Sequence, residues 1–241
     1  MANANYSAYM EIKRQLLQIF KTETFVNNKL PPEATLAARL GISLVTLREA
    51  MLILAIEGYI TKRHGAGNFI HPSALDHENR SFYFVDFLKK AGYKVRIRLH
   101  AQAQLHADEE VASELRLPVG EPVLRNTIIY YANRQPAIVT YGYIPIAKLV
   151  RDDWNNMHFE YVHALVREFM NRELAHSLNE YCPYALSEEL AAIFDLPVGT
   201  PIVGSKQAFY DVQDDTVLYN HHYFYPNIYK VRTLQNWDLG R

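Results

Sequence analysis

Residues 29–70, KLPPEATLAARLGISLVTLREAMLILAIEGYITKRHGAGNFI, decide the fold of the first third of the chain. Pro31-Pro32 sits where a helix can start, and Glu33 follows in the first turn, where a carboxylate suits the positive end of the helix dipole. The spacing predicts a helix from about Glu33 to Leu40. Gly41-Ile42 then makes a tight turn and Ser43 is a good N-cap. Leu47, Ala50, Met51 and Leu54 form the buried stripe of a further helix that ends near Gly58. Two short helices about a glycine-containing turn give the helix-turn-helix layout. Tyr59–Ile70 follows as two β-prone runs around a basic, glycine-containing tip, which reads as a wing. Upstream, Tyr6, Tyr9, Met10, Ile12, Leu16, Ile19 and Phe20 recur at helical spacing, so the first helix spans about Tyr6 to Phe20.

A recognition helix enters the major groove by its N-terminal end, which puts Ser43, Leu44, Val45, Thr46 and Arg48 within reach of DNA. Arg48 suits a bidentate contact to guanine or a grip on phosphate. Ser43 and Thr46 can donate to phosphate oxygens, and the methyls of Leu44, Val45 or Thr46 can meet a thymine methyl. At the wing tip, Lys62, Arg63 and His64 offer cations, and Gly65 lets the backbone approach a groove closely. With Glu33 at the start of the preceding helix, these ten residues are the candidate DNA-binding set. The bland alternatives are an Arg48 paired with Glu49 or Glu57 and a merely solvated hairpin tip.

The order and spacing of Leu30-Pro31-x-Glu33, Leu36-Ala37-x-x-Leu40-Gly41-Ile42-Ser43, Thr46-Leu47-Arg48-Glu49-Ala50, Glu57-Gly58 and His64-Gly65-x-Gly67-x-Phe69-Ile70 resemble the winged-helix head of the GntR family of bacterial transcription regulators. The resemblance covers about residues 6–71 and implies sequence-specific DNA binding. Two arginines usual in such heads are replaced here by Ala34 and Leu44, which implies an operator different from the common one or a lower affinity.

The 241 residues are 49% hydrophobic and 21% charged, a mix that excludes a disordered chain. Net charge is −1 overall, but residues 1–75 carry +3 and the remainder −4, a mildly basic head on an acidic body. The lone Cys182 excludes an internal disulfide and any zinc site built on several thiolates. Apolar runs such as Leu52–Ile56 are far too short to span a membrane, and the first residues lack a charged segment followed by a greasy one. The expected location is the cytoplasm.

Residues 72–82 are polar and read as a linker between a head over 1–71 and a body over 83–241. The body repeats itself. Ala112–Val123 (ASELRLPVGEPV) recurs as Ala191–Ile202 (AAIFDLPVGTPI), an offset of 79 residues. Each Leu-Pro-Val-Gly-x-Pro is preceded by a short helical stretch (Ala107–Leu115, Ser187–Phe194) and followed by two β-rich runs. These are Val123–Tyr131 with Ala137–Ile144, and Ile202–Val212 with Val217–Tyr225. A helix over about Glu160–Asn171 lies between the copies. Two copies are too few for a solenoid, so the expectation is one pseudo-symmetric sheet with helices on a face, an α+β body.

This duplicated pattern, with Phe87-Leu88-x-x-Ala91-Gly92 and Tyr143-Ile144-Pro145, resembles the UTRA effector domain of the HutC branch of GntR regulators, whose fold is like chorismate lyase. The resemblance covers about residues 83–236 and implies a small-molecule effector. Members that bind phosphorylated sugars carry two arginines where this chain has Ile128 and Tyr130, and a glutamate where it has Thr140. Of their closing Asp-Arg-Tyr only Tyr229 remains, after Asn227-Ile228. An anionic phosphate needs charge-assisted donors, so the effector is not expected to be a phosphosugar. Tyr130, Thr140, Tyr161, His163, His221 and Tyr229 are the candidate effector residues, with Arg125 and Lys206 as further partners for an anion.

His221-His222 with His163 or His176 evokes a metal site, but adjacent strand residues point to opposite faces and cannot simply share one ion. No metal or cofactor is expected. A lyase-like enzyme, or a sensor whose head has lost specific DNA binding, is the alternative; no nucleophile–base motif or phosphate loop supports catalysis. The reading is a ligand-responsive regulator, a repressor, bound as a homodimer to a palindromic operator in double-stranded DNA.

Overall fold

The computed structural model describes residues 2–75 and 83–229, which fall in two compact units. In the first, α1 (Ala2–Thr22) is followed by a single 3-10 turn and then α2 (Glu33–Leu40) and α3 (Leu44–Ile56). The carbonyl of Pro32 accepts from Thr35 and Leu36, and Gly41 closes α2 at φ +67°, where its missing side chain removes the strain. Ser43 caps α3, its hydroxyl accepting from the Thr46 amide at 3.1 Å. Strands β1 (Ile60–Arg63) and β2 (Gly67–Ile70) pair antiparallel as the wing. Leu16, Phe20, Leu36, Leu47, Leu54 and Ile60 are buried together, so the stripes of all three helices meet in one core.

The first four residues of the stretch expected as a linker, 72–82, are helical. Pro72–Leu75 forms a short helix, α4, and Ala74 and Leu75 are buried in the core of the first unit. The sequence there looks polar only because two apolar residues stand among polar ones; residues 76–82 lie outside the described part.

The second unit runs α5 (Phe84–Lys90), β3 (Val95–His106), α6 (Glu109–Leu115), β4 (Pro122–Ala132), β5 (Gln135–Pro145), α7 (Val162–Met170), β6 (Leu174–Ala185), α8 (Glu188–Phe194), β7 (Pro201–Asp211) and β8 (Thr216–Phe224). All six strands join one antiparallel sheet in the order β3-β4-β5-β8-β7-β6. The repeat is therefore wider than its motif: helix, edge strand, helix and two inner strands occur twice, with β5 and β8 meeting at the centre. Leu-Pro-Val-Gly-x-Pro is the turn between the second helix and the first inner strand of each copy. Arg116 and Asp195 end their helices in the left-handed region, and Gly120 and Gly199 follow at φ +87° and +80°. Their amides donate at 2.8 Å to Ala107 and Leu186 at the head of each helix.

Strand alternation assigns the helices to faces. On β4, β5 and β8, Leu124, Ile128, Ile138, Ile144, Leu218 and Phe224 pack against α5 and α7. Val123, Ile129, Val139 and Tyr219 pack against α6 and α8. Helices on a single face was thus the wrong expectation. Central strands apolar on both sides need cover on both, and the short helices of the repeat supply the second layer.

Candidate nucleic-acid interface and effector pocket

At the start of α3 the sequence turns its side chains two ways. Val45 is 66% exposed and Arg48 stands in solvent, while Leu47 and Ala50 point into the core. Ser43 and Thr46 face each other with their hydroxyls 2.7 Å apart. Leu44 is half-buried, its side chain packed against the core of the unit.

Glu33 lies in the first turn of α2, as expected, and reaches both the recognition helix and the wing. Its carboxylate accepts from Arg48 Nε at 2.7 Å and from Asn68 Nδ2 at 3.3 Å, and Lys62 Nζ lies 3.8 Å away. The Arg48 hydrogen bond holds the Glu33 carboxyl below the usual carboxylate range. One residue of α2 therefore joins the recognition helix to both strands of the wing. Arg48 pairs with neither Glu49 nor Glu57; the latter takes Lys13 at 2.6 Å. Because Glu33 occupies Nε, both terminal nitrogens of Arg48 remain for a bidentate contact, and the fork is already oriented.

At the wing tip, Gly65 adopts φ +69° and Lys62, Arg63 and His64 are exposed. The Arg63 guanidinium lies 4.4 Å over the Phe69 ring, which fixes its stem on the second strand. Asn68 and Phe69, the residues that brace the wing, were absent from the expected set. The signal was an asparagine in a strand otherwise suited to apolar residues.

In the second unit, the face under α5 and α7 carries a polar band. Thr140 Oγ1 lies 2.8 Å from His222 Nδ1, His222 Nε2 lies 3.1 Å from Gln207 Oε1, and Gln207 Nε2 donates to Ser177 at 2.9 Å. This order assigns His222 as the Nε2–H tautomer with Thr140 donating to Nδ1. Burial pushes the His222 pKa down to about 3, so the ring is neutral. Beside this relay, Asn126, Gly142 and Asn220 are paired across β4, β5 and β8. A side chain at Gly142 would meet Asn220 Oδ1 at 2.9 Å, so glycine makes room for that amide. Asn126 Oδ1 accepts from Gln102 at 2.7 Å, but its buried Nδ2 has no partner among the described residues.

Asn126, Ile128, Tyr130, Thr140 and Asn220 line a cavity of about 40 Å³, roofed by Phe159, Val162 and Leu165. Phe159 also borders a hollow of about 400 Å³ lined by Val85, Lys89, Ile97 and His158, and so forms the partition between the two. Its carbonyl accepts from the Tyr130 hydroxyl at 3.1 Å. Phe84, the first residue of α5, sets its ring 4.7 Å from His222 and 5.5 Å from Tyr130.

Of the six candidate effector residues, the structure brings Tyr130 and Thr140 together here. Tyr161 and His163 instead join Tyr83, whose hydroxyl lies 2.8 Å from His163 Nδ1, because α7 turns Leu165 and Val166 to the sheet and His163 outward. His221 is on the opposite face, 3.0 Å from Glu110, as strand alternation demands once His222 turns to Thr140. Tyr229 stacks on Phe224 and meets Phe87. Arg125 lies over the Tyr141 ring and Lys206 pairs with Glu110, both away from the cavity. Asn126, Asn220 and His222 were missing from the expected set. Among the described residues, no three His, Cys, Asp or Glu side chains are grouped as a metal site, and no helix is long and apolar enough to cross a membrane.

Residues 90–230 match the UTRA domain, and residues 8–70 match the bacterial regulatory proteins of the gntR family. The chain belongs to the GntR regulators that carry a UTRA domain. The repressor NagR of Bacillus subtilis is 25% identical over 205 residues, covering 84% of each chain. The mannosyl-D-glycerate transport/metabolism system repressor MngR of Escherichia coli is 21% identical over 228 residues, covering 93% of each. YydK of Bacillus subtilis shares the fold, with a TM-score of 0.74, 18% identity and coverage of 95% of this chain and 99% of that one. This GntR regulator is thus a DNA-binding transcription factor with an effector-binding domain, and not an enzyme.

Proposed function

We propose that this regulator represses transcription in the cytoplasm by binding a palindromic operator as a homodimer, one α3 per half-site, with Arg48 as the principal base reader. The observation that carries this reading is the Glu33 brace, which takes Nε of Arg48 and leaves its two terminal nitrogens for guanine. Ser43 and Thr46 grip phosphate, Val45 meets a thymine methyl, and Lys62, Arg63, His64 and Gly65 dock the wing. Glu33 is a positioning residue that sets the wing and the recognition helix at a fixed separation.

The effector of this reading binds in the second unit where Phe159 divides the cavity from the hollow. Joined, the two spaces reach the range of small-molecule sites. The cavity lining offers the amides of Asn126 and Asn220 and the hydroxyls of Thr140 and Tyr130 and no cation, so the ligand is uncharged at the end that enters it. Such a ligand releases the operator only by binding one conformation of the protein better than the other. Displacement of Phe84 or Phe159 is the local change available to it.

The test is a gel shift of the full chain on the promoter region upstream of its own gene, beside an unrelated duplex of equal length, at low and moderate salt. Selective binding that survives moderate salt is expected. Equal binding to both duplexes, lost with salt, would remove the operator reading.

A further inference from the structure

The 79-residue repeat gives the second unit two versions of one arrangement, and the differences between them single out a hollow. In one version Glu110 of α6 reaches the sheet, where Lys206 Nζ pairs with it at 2.7 Å and the Tyr219 hydroxyl donates to it at 2.7 Å. In the other the matching carboxylate is Glu189 of α8, and the residue that matches Lys206 is Thr127. Strand register agrees: Lys206 stands opposite His221 and Thr127 opposite Tyr141, and Tyr141 and His221 are paired with each other at the centre of the sheet. Thr127 is 1% exposed, and its hydroxyl has no hydrogen-bond partner among the described residues. Burial, and then the nearby Glu189 carboxylate, push the Tyr141 hydroxyl well above the usual phenol range. Among the described residues no lysine or arginine pairs with Glu189, and Arg125, on the same face, is held over the Tyr141 ring. One version carries its own ammonium at the carboxylate; the other lacks it.

The edge strands differ to the same effect. Leu178 of β6, opposite Ala208, matches Arg98 of β3, opposite Ile129. The bulge between Leu99 and Ala101 adds His100, which has no counterpart in β6, regular over that stretch. Arg98, His100, Ile129, Tyr131, Glu189 and Ile193 line a hollow of about 400 Å³ between β3 and α8, a volume in the range of small-molecule sites. It lies on the face of the sheet opposite the cavity of Asn126 and Asn220. We propose that this hollow binds a small zwitterion with an apolar body, the class of the apolar α-amino acids. The ligand ammonium sits at Glu189, in the role that Lys206 plays for Glu110. Its carboxylate takes the Arg98 guanidinium and the His100 imidazole, and its side chain covers Ile129, Tyr131 and Ile193. Charge selects this class, since a plain cation would meet Arg98 and a plain anion would meet Glu189. The site is separate from the effector cavity above, and neither reading depends on the other.

The test is isothermal titration calorimetry of the full-length protein with L-leucine and with L-phenylalanine. Saturable binding of at least one of them, at one site per chain, is expected. For the amino acid that binds, its amide, which has no carboxylate, and its deamino acid, which has no ammonium, should each bind about tenfold or more weakly. Glu189→Gln and Arg98→Gln, both at exposed positions, should each weaken the amino acid by about the same factor with an unchanged circular dichroism spectrum. Glu189→Gln should leave the deamino acid bound as well as before or more tightly, because that ligand has no ammonium to lose. Absence of binding by both amino acids at millimolar concentration would overturn the proposal. So would binding that both substitutions leave unaltered, or a deamino acid that binds as tightly as its parent.

Discussion

In the first unit Arg48 holds its terminal nitrogens in solvent, with Glu33 braced behind it. In the second, Thr140, His222, Gln207 and Ser177 turn toward one another beneath two helices. The exposed site is charged and oriented in advance, which suits a polyanion approached from water. The enclosed site is neutral and internally satisfied apart from the Asn126 amide, which suits a ligand that must exchange its hydrogen bonds for those of the protein. A polar group thus earns its place differently in each: by what it leaves open in the head, and by what it closes in the body.

Substitutions at the two sites should then separate. The largest effect belongs to Arg48→Ala, which should lower operator affinity by about 1–3 kcal/mol while leaving sedimentation and thermal stability unchanged. Equal weakening on operator and unrelated DNA would make Arg48 a phosphate contact and blur the contrast. Thr140→Val should act the other way. It deprives buried His222 Nδ1 of its donor and should cost about 1–3 kcal/mol of stability in urea unfolding. Operator affinity of the folded protein should not move, and an unchanged unfolding midpoint would show that the relay contributes nothing. The smallest change is at the wing: Lys62→Ala should reduce the slope of log K against log salt by about 0.9. An unaltered slope would place Lys62 off the DNA.

The contrast also explains what could be read from the sequence. The head site lies within 33 consecutive residues, so caps, turns and spacing disclose its helices, its wing and most of its exposed side chains. The partial burial of Leu44 and the Glu33–Arg48 pair were not legible, because sequence spacing does not say which side chain on a short helix folds inward or finds a cation 15 positions away. In the body, the 79-residue repeat disclosed the inner strands and the turn, but not β3 or β6. β3 has strict alternation over Val95–Leu99, a strand signal that could have been used. β6 has none, since an edge strand with little buried surface is under weak constraint on its pattern. The cavity was the hardest part, because Asn126, Thr140, Phe159 and Asn220 come from separate stretches and meet only through strand register. Asparagines in central strands, where they are disfavoured, were the available flag.

The measurement that tests the account most directly is a double-mutant cycle of Glu33→Gln and Arg48→Ala, scored by the ratio of operator to unrelated-DNA affinity at fixed salt. If Glu33 orients Arg48, each single change should collapse most of that ratio and the double change should add little to either. Removing the Glu33 charge should leave binding to unrelated DNA intact or tighter. A Glu33→Gln protein that keeps the full ratio, or a double variant whose loss is the sum of the two singles, would contradict the claim.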